Sequence, residues 1–122
     1  MNFVEIDQTV TFAEQLNENG GPVILVNLLT VAPSDVDQLL AAWAIDAAAL
    51  KKQPGFISTQ LHHGIAGSGT FLNYAVWETV AQYRASRNNA ELRAQARSAY
   101  PESLTAKPHL FRAIAVPGIC VA

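Results

Sequence analysis

The chain has 122 residues, a length typical of one domain. Half of its residues are hydrophobic, 15% are charged and the mean hydropathy is +0.15, a composition that excludes intrinsic disorder. Eight basic and ten acidic residues give a net charge of −2. The sequence therefore lacks the cluster of basic residues that is typical of nucleic-acid-binding proteins, and it lacks the Lys/Arg-rich segment that binds anionic membranes.

Cysteine usage and the first residues predict a reducing compartment. Cys120 is the single cysteine, which excludes an intrachain disulfide and a cysteine-based zinc site. The first seven residues lack the basic and apolar regions of a signal peptide. The alanine-rich stretch 41–50 is interrupted by Asp46 and is far shorter than the ~20 apolar residues of a membrane span. We therefore expect a cytoplasmic protein with no membrane partner.

The first half of the chain predicts an arm, a strand and a helix. Residues 1–21 are weakly patterned and are interpreted as an N-terminal arm containing a short strand and a helical turn. The nearly continuous apolar run Pro22–Val31 predicts a strand buried on both faces. A helix then extends to Leu50, because Ser34 is a good N-cap and apolar residues recur at helical spacing until Pro54-Gly55.

The second half predicts a hairpin, two helices and a last strand. Strands at 56–64 and 70–77 flank a glycine-rich tip, which is typical of an antiparallel hairpin. Helices are predicted at 79–88 and 90–99, and Pro101 and Pro108 bracket a loop after them. The last strand is predicted at 110–116, and residues 117–122 form a C-terminal tail.

The order β-α-β-β-α-β predicts an α+β, ferredoxin-like fold with a four-stranded antiparallel sheet. We expect a single domain over residues 1–122, with residues 22–116 as its core. Helices cover one face of such a sheet, yet the first strand is apolar at both parities. The simplest way to bury the second face is to pack it against the same face of another copy of the chain. This predicts a two-fold homodimer that pairs through the sheet.

Polar side chains within the apolar strands predict a pocket between the sheet and the helices. Side chains alternate along a strand, so alternate residues of the first three strands share the helix-facing side. Buried amides and imidazoles need partners, which implies a polar network, a bound water or a ligand. The residues expected to line this pocket are Asn27, Trp43, Gln60, His62, Phe71, Asn73 and Trp77.

Each polar feature also has a structural interpretation. Asn73 is also typical of a side chain that hydrogen-bonds backbone groups at a β-bulge, and Trp77 of a large apolar side chain buried in the core. The adjacent His62 and His63 point to opposite faces of their strand, with no cysteine or carboxylate cluster beside them, so no metal site is predicted. Charges interpreted as isolated or mostly solvated are Asp46, Arg84, Arg87, Arg93 and Arg97.

Two segments resemble the antibiotic biosynthesis monooxygenase family. They are Asn73–Glu78 (Asn-Tyr-Ala-Val-Trp-Glu) and Gln53–His62. Tyr83-Arg84 falls where the family's helix after the third strand often carries an aromatic residue. The resemblance covers about residues 22–116 and implies ferredoxin-like protomers paired into a dimeric α+β barrel.

The resemblance also implies an activity. The better understood members oxidise phenolic, anthrone-like aromatics to quinones with dioxygen, without metal, flavin or haem. Asn27 resembles a first-strand asparagine of the haem-degrading members, but their tryptophan and histidine correspond here to Ser86 and Ala96. Haem degradation is therefore not expected. The positions that match residues proposed to act in the quinone-forming members are His62, Asn73, Trp77, Tyr83 and, across a short gap near Asn88-Asn89, Arg93.

This hypothesis gives each matched residue a role. His62 is the base, since the ordinary pKa of histidine lies near neutrality. Asn73 and the Trp77 indole donate to a phenolate or peroxide oxygen, and Arg93 holds an anionic oxygen. Tyr83 orients a ring or relays a proton.

Three other functions stay open at this point. The same fold suits a non-oxidative enzyme of small-molecule metabolism, a module that binds an aromatic ligand without turnover, or a structural dimer whose polar residues satisfy one another. Thermal stabilisation by a ligand without turnover distinguishes the binding module.

Overall fold

The structure of the protein, a computed structural model, describes residues 1–122. It contains five strands: β1 (Asn2–Phe3), β2 (Val23–Thr30), β3 (Phe56–His63), β4 (Thr70–Trp77) and β5 (Thr105–Phe111). Its α-helices are α1 (Phe12–Gln15), α2 (Val36–Leu50), α3 (Val80–Arg87) and α4 (Ala90–Ala99). A 3₁₀ turn at Pro33–Asp35 leads into α2.

The strands form one mixed sheet in the order β1-β5-β2-β4-β3. The antiparallel strands β5, β2, β4 and β3 are the four strands of the ferredoxin-like arrangement, so the predicted α+β class is confirmed. The prediction of a purely antiparallel, four-stranded sheet was wrong, because β1 adds a fifth strand parallel to β5. A strand of two residues is too short to show an alternating pattern.

The last strand was predicted too late in the chain. β5 begins at Thr105 and contains Pro108, which was assigned to a loop. The backbone N–H and C=O of Leu110 both bond the Gln15 side chain, so even-numbered residues of β5 direct these groups away from β2. The missing N–H of Pro108 therefore removes no bond of the β2–β5 ladder, which makes proline acceptable there.

The helices cover one face of the sheet with two apolar clusters. One cluster contains Leu25, Trp77, Val80 and Tyr83. The other lies beneath α2, where Leu39 is fully buried. Between the clusters the strands carry Asn27 and Asn73, which are opposite each other on β2 and β4.

The N-terminal arm packs along the outer edge of β5, where β1 pairs with Thr105 and Ala106. Glu5 Oε2 accepts from the backbone N–H of Phe12 at 2.9 Å, at the start of α1. Phe12 is buried beside Tyr83, with their ring centroids 6.4 Å apart. Gln15 bonds both backbone groups of Leu110 at 2.9 Å. These contacts attach the arm to the core.

The sheet face away from the helices carries a partly exposed apolar patch on β2, β4 and β5 in the protomer. Its residues alternate with the buried ones, and Tyr74 and Phe111 keep 40% and 43% of their surface exposed. The other apolar side chains on this face are Ile24, Val26, Leu28, Leu72 and Val76. No helix of the protein has the length and apolarity to cross a membrane.

Candidate active site

A cavity of about 340 Å³ lies between the sheet and the helices, within the size range of small-molecule sites. Its walls combine strands β2, β3, β4 and β5, helices α2, α3 and α4, and the N-terminal arm. The predicted site residues that line it are Asn27, Trp43, Asn73, Trp77, Tyr83 and Arg93.

Two asparagines carry the polar groups of the cavity floor. Asn27 and Asn73 are direct cross-strand partners, which places their Cβ atoms about 5 Å apart. Thr59 Oγ1 donates to Asn73 Oδ1 at 2.7 Å, so the Nδ2 group of Asn73 is left as a free donor. Asn27 Oδ1 is buried and has no hydrogen-bond partner. The floor therefore offers a ligand the Nδ2 donors of both asparagines and the Oδ1 acceptor of Asn27.

An aromatic wall stands beside this floor. Trp77 is 1% exposed and packs edge-on against Phe56, with ring centroids 5.4 Å apart. Its ring also lies 5.5 Å from that of Tyr83, and no hydrogen bond within the protein engages its indole N–H. Burial raises the pKa of Tyr83, and the charges of Arg87 and Arg93 oppose this shift. Tyr83 therefore stays a neutral phenol.

An ion pair joins α2 to α4 at the cavity. Arg93 Nη1 donates to Asp46 Oδ1, and the Tyr100 hydroxyl donates to Asp46 Oδ2 at 2.9 Å. Burial, followed by the charge of Asp46, raises the pKa of Tyr100 strongly, so this hydroxyl remains a donor. Arg93 Nε is buried without a partner. Asp46 thus fixes the guanidinium while its Nε–H stays without an acceptor in the protein.

A β-bulge decides which residues of β3 reach the cavity. Phe56 is opposite Trp77, but Ser58 is opposite Val76, so β3 has one extra residue, Ile57, against β4. Such an insertion reverses the side-chain alternation beyond it. Thr59 therefore takes a place on the cavity side.

The bulge moves two predicted site residues to the other face of the sheet. His62 is exposed, with Nδ1 3.3 Å from the carbonyl oxygen of Leu72, and Gln60 is exposed as well. The expectation that both line the pocket was wrong. Phe71 also lies outside the cavity lining, because it is buried in the cluster beneath α2 and stacks on His63 at 4.1 Å.

Sequence reasoning missed several lining residues that carry chemistry. Asp46 follows Leu39 and Ala42 on the buried stripe of α2, and this helical spacing was a usable signal. Arg93 and Arg97 are four residues apart, so they share one face of α4. This face was assigned mostly to solvent, yet both residues line the cavity, with Arg93 half-buried and Arg97 exposed at its edge. The polar lining residues that were missed are Asp46, Thr59, Ser86, Arg87, Arg97 and Tyr100.

The sequence profile described as antibiotic biosynthesis monooxygenase matches residues 22–98. The chain belongs to the antibiotic biosynthesis monooxygenase family. The family resemblance noted in the sequence is thereby confirmed. Residues 1–21 of this family member, including the Met1 and Phe3 side chains that line the cavity, lie outside the match.

Solved structures of other proteins share the fold. SnoaB, a cofactor-independent oxygenase from Streptomyces nogalater, matches with 26% identity and a TM-score of 0.66, over 79% of this chain and 96% of that chain. A proposed monooxygenase from Shewanella loihica PV-4 matches with 28% identity and a TM-score of 0.66, over 80% of this chain and 98% of that chain.

A third match is to MhuD, a heme-degrader from Mycobacterium tuberculosis solved with two hemes bound in its active site. It has 24% identity and a TM-score of 0.60, over 80% of this chain and 100% of that chain, which shows the shared fold alone. Among curated proteins no sequence match is found.

Proposed function

We propose that the chain is a cofactor-independent monooxygenase that oxidises a phenolic, anthrone-like aromatic to a quinone with dioxygen. The observation that carries the proposal is the set of N–H donors without protein acceptors at one cavity: Asn73 Nδ2, Trp77 Nε1 and Arg93 Nε. Fixed donors of this kind stabilise negative charge as it develops on oxygen. The 26% identity to the oxygenase SnoaB supports the same reaction class.

The reaction balances without a further reductant. The substrate loses a proton from its methylene carbon and becomes an electron-rich enolate. One electron passes to dioxygen, the two radicals combine into a carbon–oxygen bond, and the peroxide takes up a proton. Loss of water then leaves a carbonyl on the former methylene carbon. That carbon supplies all four electrons that dioxygen accepts, so one oxygen atom enters the quinone and the other leaves as water.

The absence of His62 from the cavity changes the expected origin of the enolate. No histidine lines the cavity, and its single carboxylate, Asp46, is held by Arg93 and Tyr100. We infer that the donors lower the pKa of the bound substrate itself, since hydrogen bonds to a charged form favour that form. The proton then leaves to water, and the protein contributes placement and charge stabilisation.

The cavity residues do not fit haem as a resident cofactor. A haem iron needs an axial ligand such as histidine, cysteine or tyrosinate. No histidine or cysteine lines the cavity. The lining tyrosines, Tyr83 and Tyr100, have raised pKa values, which disfavour the phenolate that binds iron. The positions expected to carry the haem-degrading tryptophan and histidine are Ser86 and Ala96, and both are buried.

Dioxygen uptake tests the proposed function. Chelator-treated protein is mixed with a panel of anthrones while oxygen and quinone absorbance are followed together. We expect one dioxygen consumed per quinone, above the rate without protein, and one labelled atom in the quinone when ¹⁸O₂ is used. Hydroquinones, which reach the quinone by two-electron oxidation without gaining an oxygen atom, are the comparison and are expected to give no labelled quinone. Autoxidation gives hydrogen peroxide instead, so peroxide is measured as a control.

The remaining hypotheses give different results in the same experiment. No uptake with any member of a panel that nonetheless raises the melting temperature indicates a binding module, because a ligand selective for the native state stabilises it. Turnover under anaerobic conditions indicates a non-oxidative enzyme. Either result contradicts the proposed oxygenation.

We further propose that two copies pair through the sheet face away from the helices. On this face Tyr74 and Phe111 keep 40% and 43% of their surface exposed within the protomer, and Val26, the cross-strand partner of Tyr74, is half-buried. We expect sedimentation at micromolar concentration to give twice the 13.1 kDa chain mass. Tyr74→Lys is expected to produce monomers, because it places a charge in the apolar interface. Leu40→Lys, at a side chain on α2 of nearly equal exposure (41%), is the matched control. A monomeric wild-type protein contradicts this prediction.

A further inference from the structure

The cavity is positively charged although the chain is acidic. Its lining contains three arginines and one aspartate, a sum of +2, whereas the whole chain carries −2. The ion pair between Asp46 and Arg93 accounts for one arginine. Arg87 and Arg97 have no carboxylate within salt-bridge distance. Their positive charge is therefore available to a ligand.

Arg87 is held in place by two rings of the N-terminal arm. Its guanidinium carbon lies 4.8 Å from the ring centroid of Phe12 and 6.0 Å from that of Phe3. Cations favour such positions over an aromatic face. A guanidinium packed on rings presents its N–H groups at the edges. Arg87 also approaches the Tyr83 hydroxyl, and its remaining N–H groups match the two oxygens of a carboxylate.

Arg97 brings a second charge to the same cavity from another helix. It lies one turn beyond Arg93 on α4, is exposed and lines the cavity. No hydrogen bond within the protein engages its side chain. The cavity thus has polar donors for a reacting oxygen on its floor and two unpaired cations from α3 and α4.

We propose that Arg87 and Arg97 form an anion subsite, and that the aromatic substrate carries a carboxylate which this subsite binds. The carboxylate is a substituent separate from the oxygen at the reacting ring. The inference rests on the proposed function for the aromatic nature of the substrate. The arm is part of the subsite through Phe3 and Phe12, which lie outside the region matched by the family profile.

Binding of two isosteric probes tests the subsite without any turnover. Anthraquinone-2-carboxylate and anthraquinone-2-carboxamide have the same rings and differ in charge. Titration calorimetry at low salt is expected to give about tenfold tighter binding of the carboxylate, as for a hydrogen-bonded pair of charged groups. This preference is expected to shrink as salt is added, because salt screens an exposed charge.

Variants assign the preference to the two arginines. We expect each single variant, Arg87→Gln and Arg97→Gln (at an exposed position), to reduce the preference for the carboxylate probe. We expect the double variant to abolish this preference, while binding of the carboxamide probe stays unchanged. Arg87→Lys is expected to restore part of it, since the charge returns without the planar fork. Phe3→Ala is expected to weaken carboxylate binding about threefold. Lys52→Gln removes the same charge at an exposed site outside the cavity and is the matched control.

The outcomes separate this proposal from the proposed function. Equal binding of both probes to the wild-type protein, no binding of either, or an unchanged preference in the double variant overturns the anion subsite. If Arg87 has only a structural role, Arg87→Gln changes the melting temperature and leaves the ratio of the two probe affinities unchanged. This result also overturns the anion subsite. Because the probes are already quinones, a failure of oxygen uptake with anthrones leaves this measurement intact.

Discussion

Asn73→Ala is expected to lower kcat for quinone formation about 100-fold, the usual effect of losing one oxyanion donor. The side chain is a donor because Thr59 occupies its oxygen at 2.7 Å and leaves Nδ2 toward the cavity. Asn73 is half-buried rather than part of an apolar cluster, so the variant is expected to fold. Steady-state quinone formation and thermal unfolding, measured side by side, check both statements.

Two companion variants sharpen this test. Thr59→Val keeps the shape of the side chain but removes the hydroxyl that orients Asn73, and it is expected to lower kcat by roughly tenfold, less than loss of the donor itself. Gln60→Ala removes an amide from the opposite face of the same strand and is expected to leave kcat unchanged. Wild-type turnover in Asn73→Ala, or a large loss in Gln60→Ala, contradicts the assignment of the donor.

The long patterned segments of the fold are visible in the sequence because their signals are local. The apolar run of β2, the alternation in β4 and the cap and stop signals around α2 each report on a few neighbouring residues. β5 is less visible because Pro108 is normally a sign against a strand. Proline is accepted there since its nitrogen faces the free edge beside α1, and that fact depends on which strand becomes its neighbour.

The wrong assignment of which β3 residues face the helices had the largest consequence for the predicted site. Strict alternation from Phe56 predicts Gln60 and His62 on the helix side, yet one unpaired residue at Ile57 exchanges them for Thr59 and Leu61. Nothing in the local composition marks this bulge, because it is defined by pairing with β4. The alternation that placed His62 in the pocket is interrupted by this pairing, although its role as base was implied by the family resemblance.

Charged residues on helices present a similar difficulty. Asp46 and Arg93 are 47 residues apart in sequence, and their pairing depends on how α2 packs against α4. Each residue taken alone resembles part of a solvated helix face. Only the packed helices show that the two charges satisfy one another and leave Arg87 and Arg97 unpaired.

The second large effect is expected at this ion pair. The two side chains keep 12% and 15% of their surface exposed, so Asp46→Leu leaves the Arg93 charge and the Tyr100 hydroxyl poorly compensated. We expect the free energy of unfolding to fall by about 3 kcal/mol, as when one partner of a buried pair is removed. Urea unfolding with an unchanged slope measures this loss. Asp37→Asn, on the exposed first turn of the same helix, is the control and is expected to cost less than about 1 kcal/mol.

Replacing all three partners separates the structural role of the cluster from its chemical role. In Asp46→Leu/Arg93→Met/Tyr100→Phe no buried charge or hydroxyl is left without a partner, so most of the lost stability is expected to return. The same variant lacks the free Nε–H of Arg93 and is expected to keep a kcat about 100-fold below wild type. Recovery of both stability and kcat would show that Arg93 stabilises the helices alone. Recovery of stability without kcat shows that the cluster of Asp46, Arg93 and Tyr100 contributes to the reaction beyond its contribution to stability, as expected if it presents the Arg93 Nε–H to the substrate.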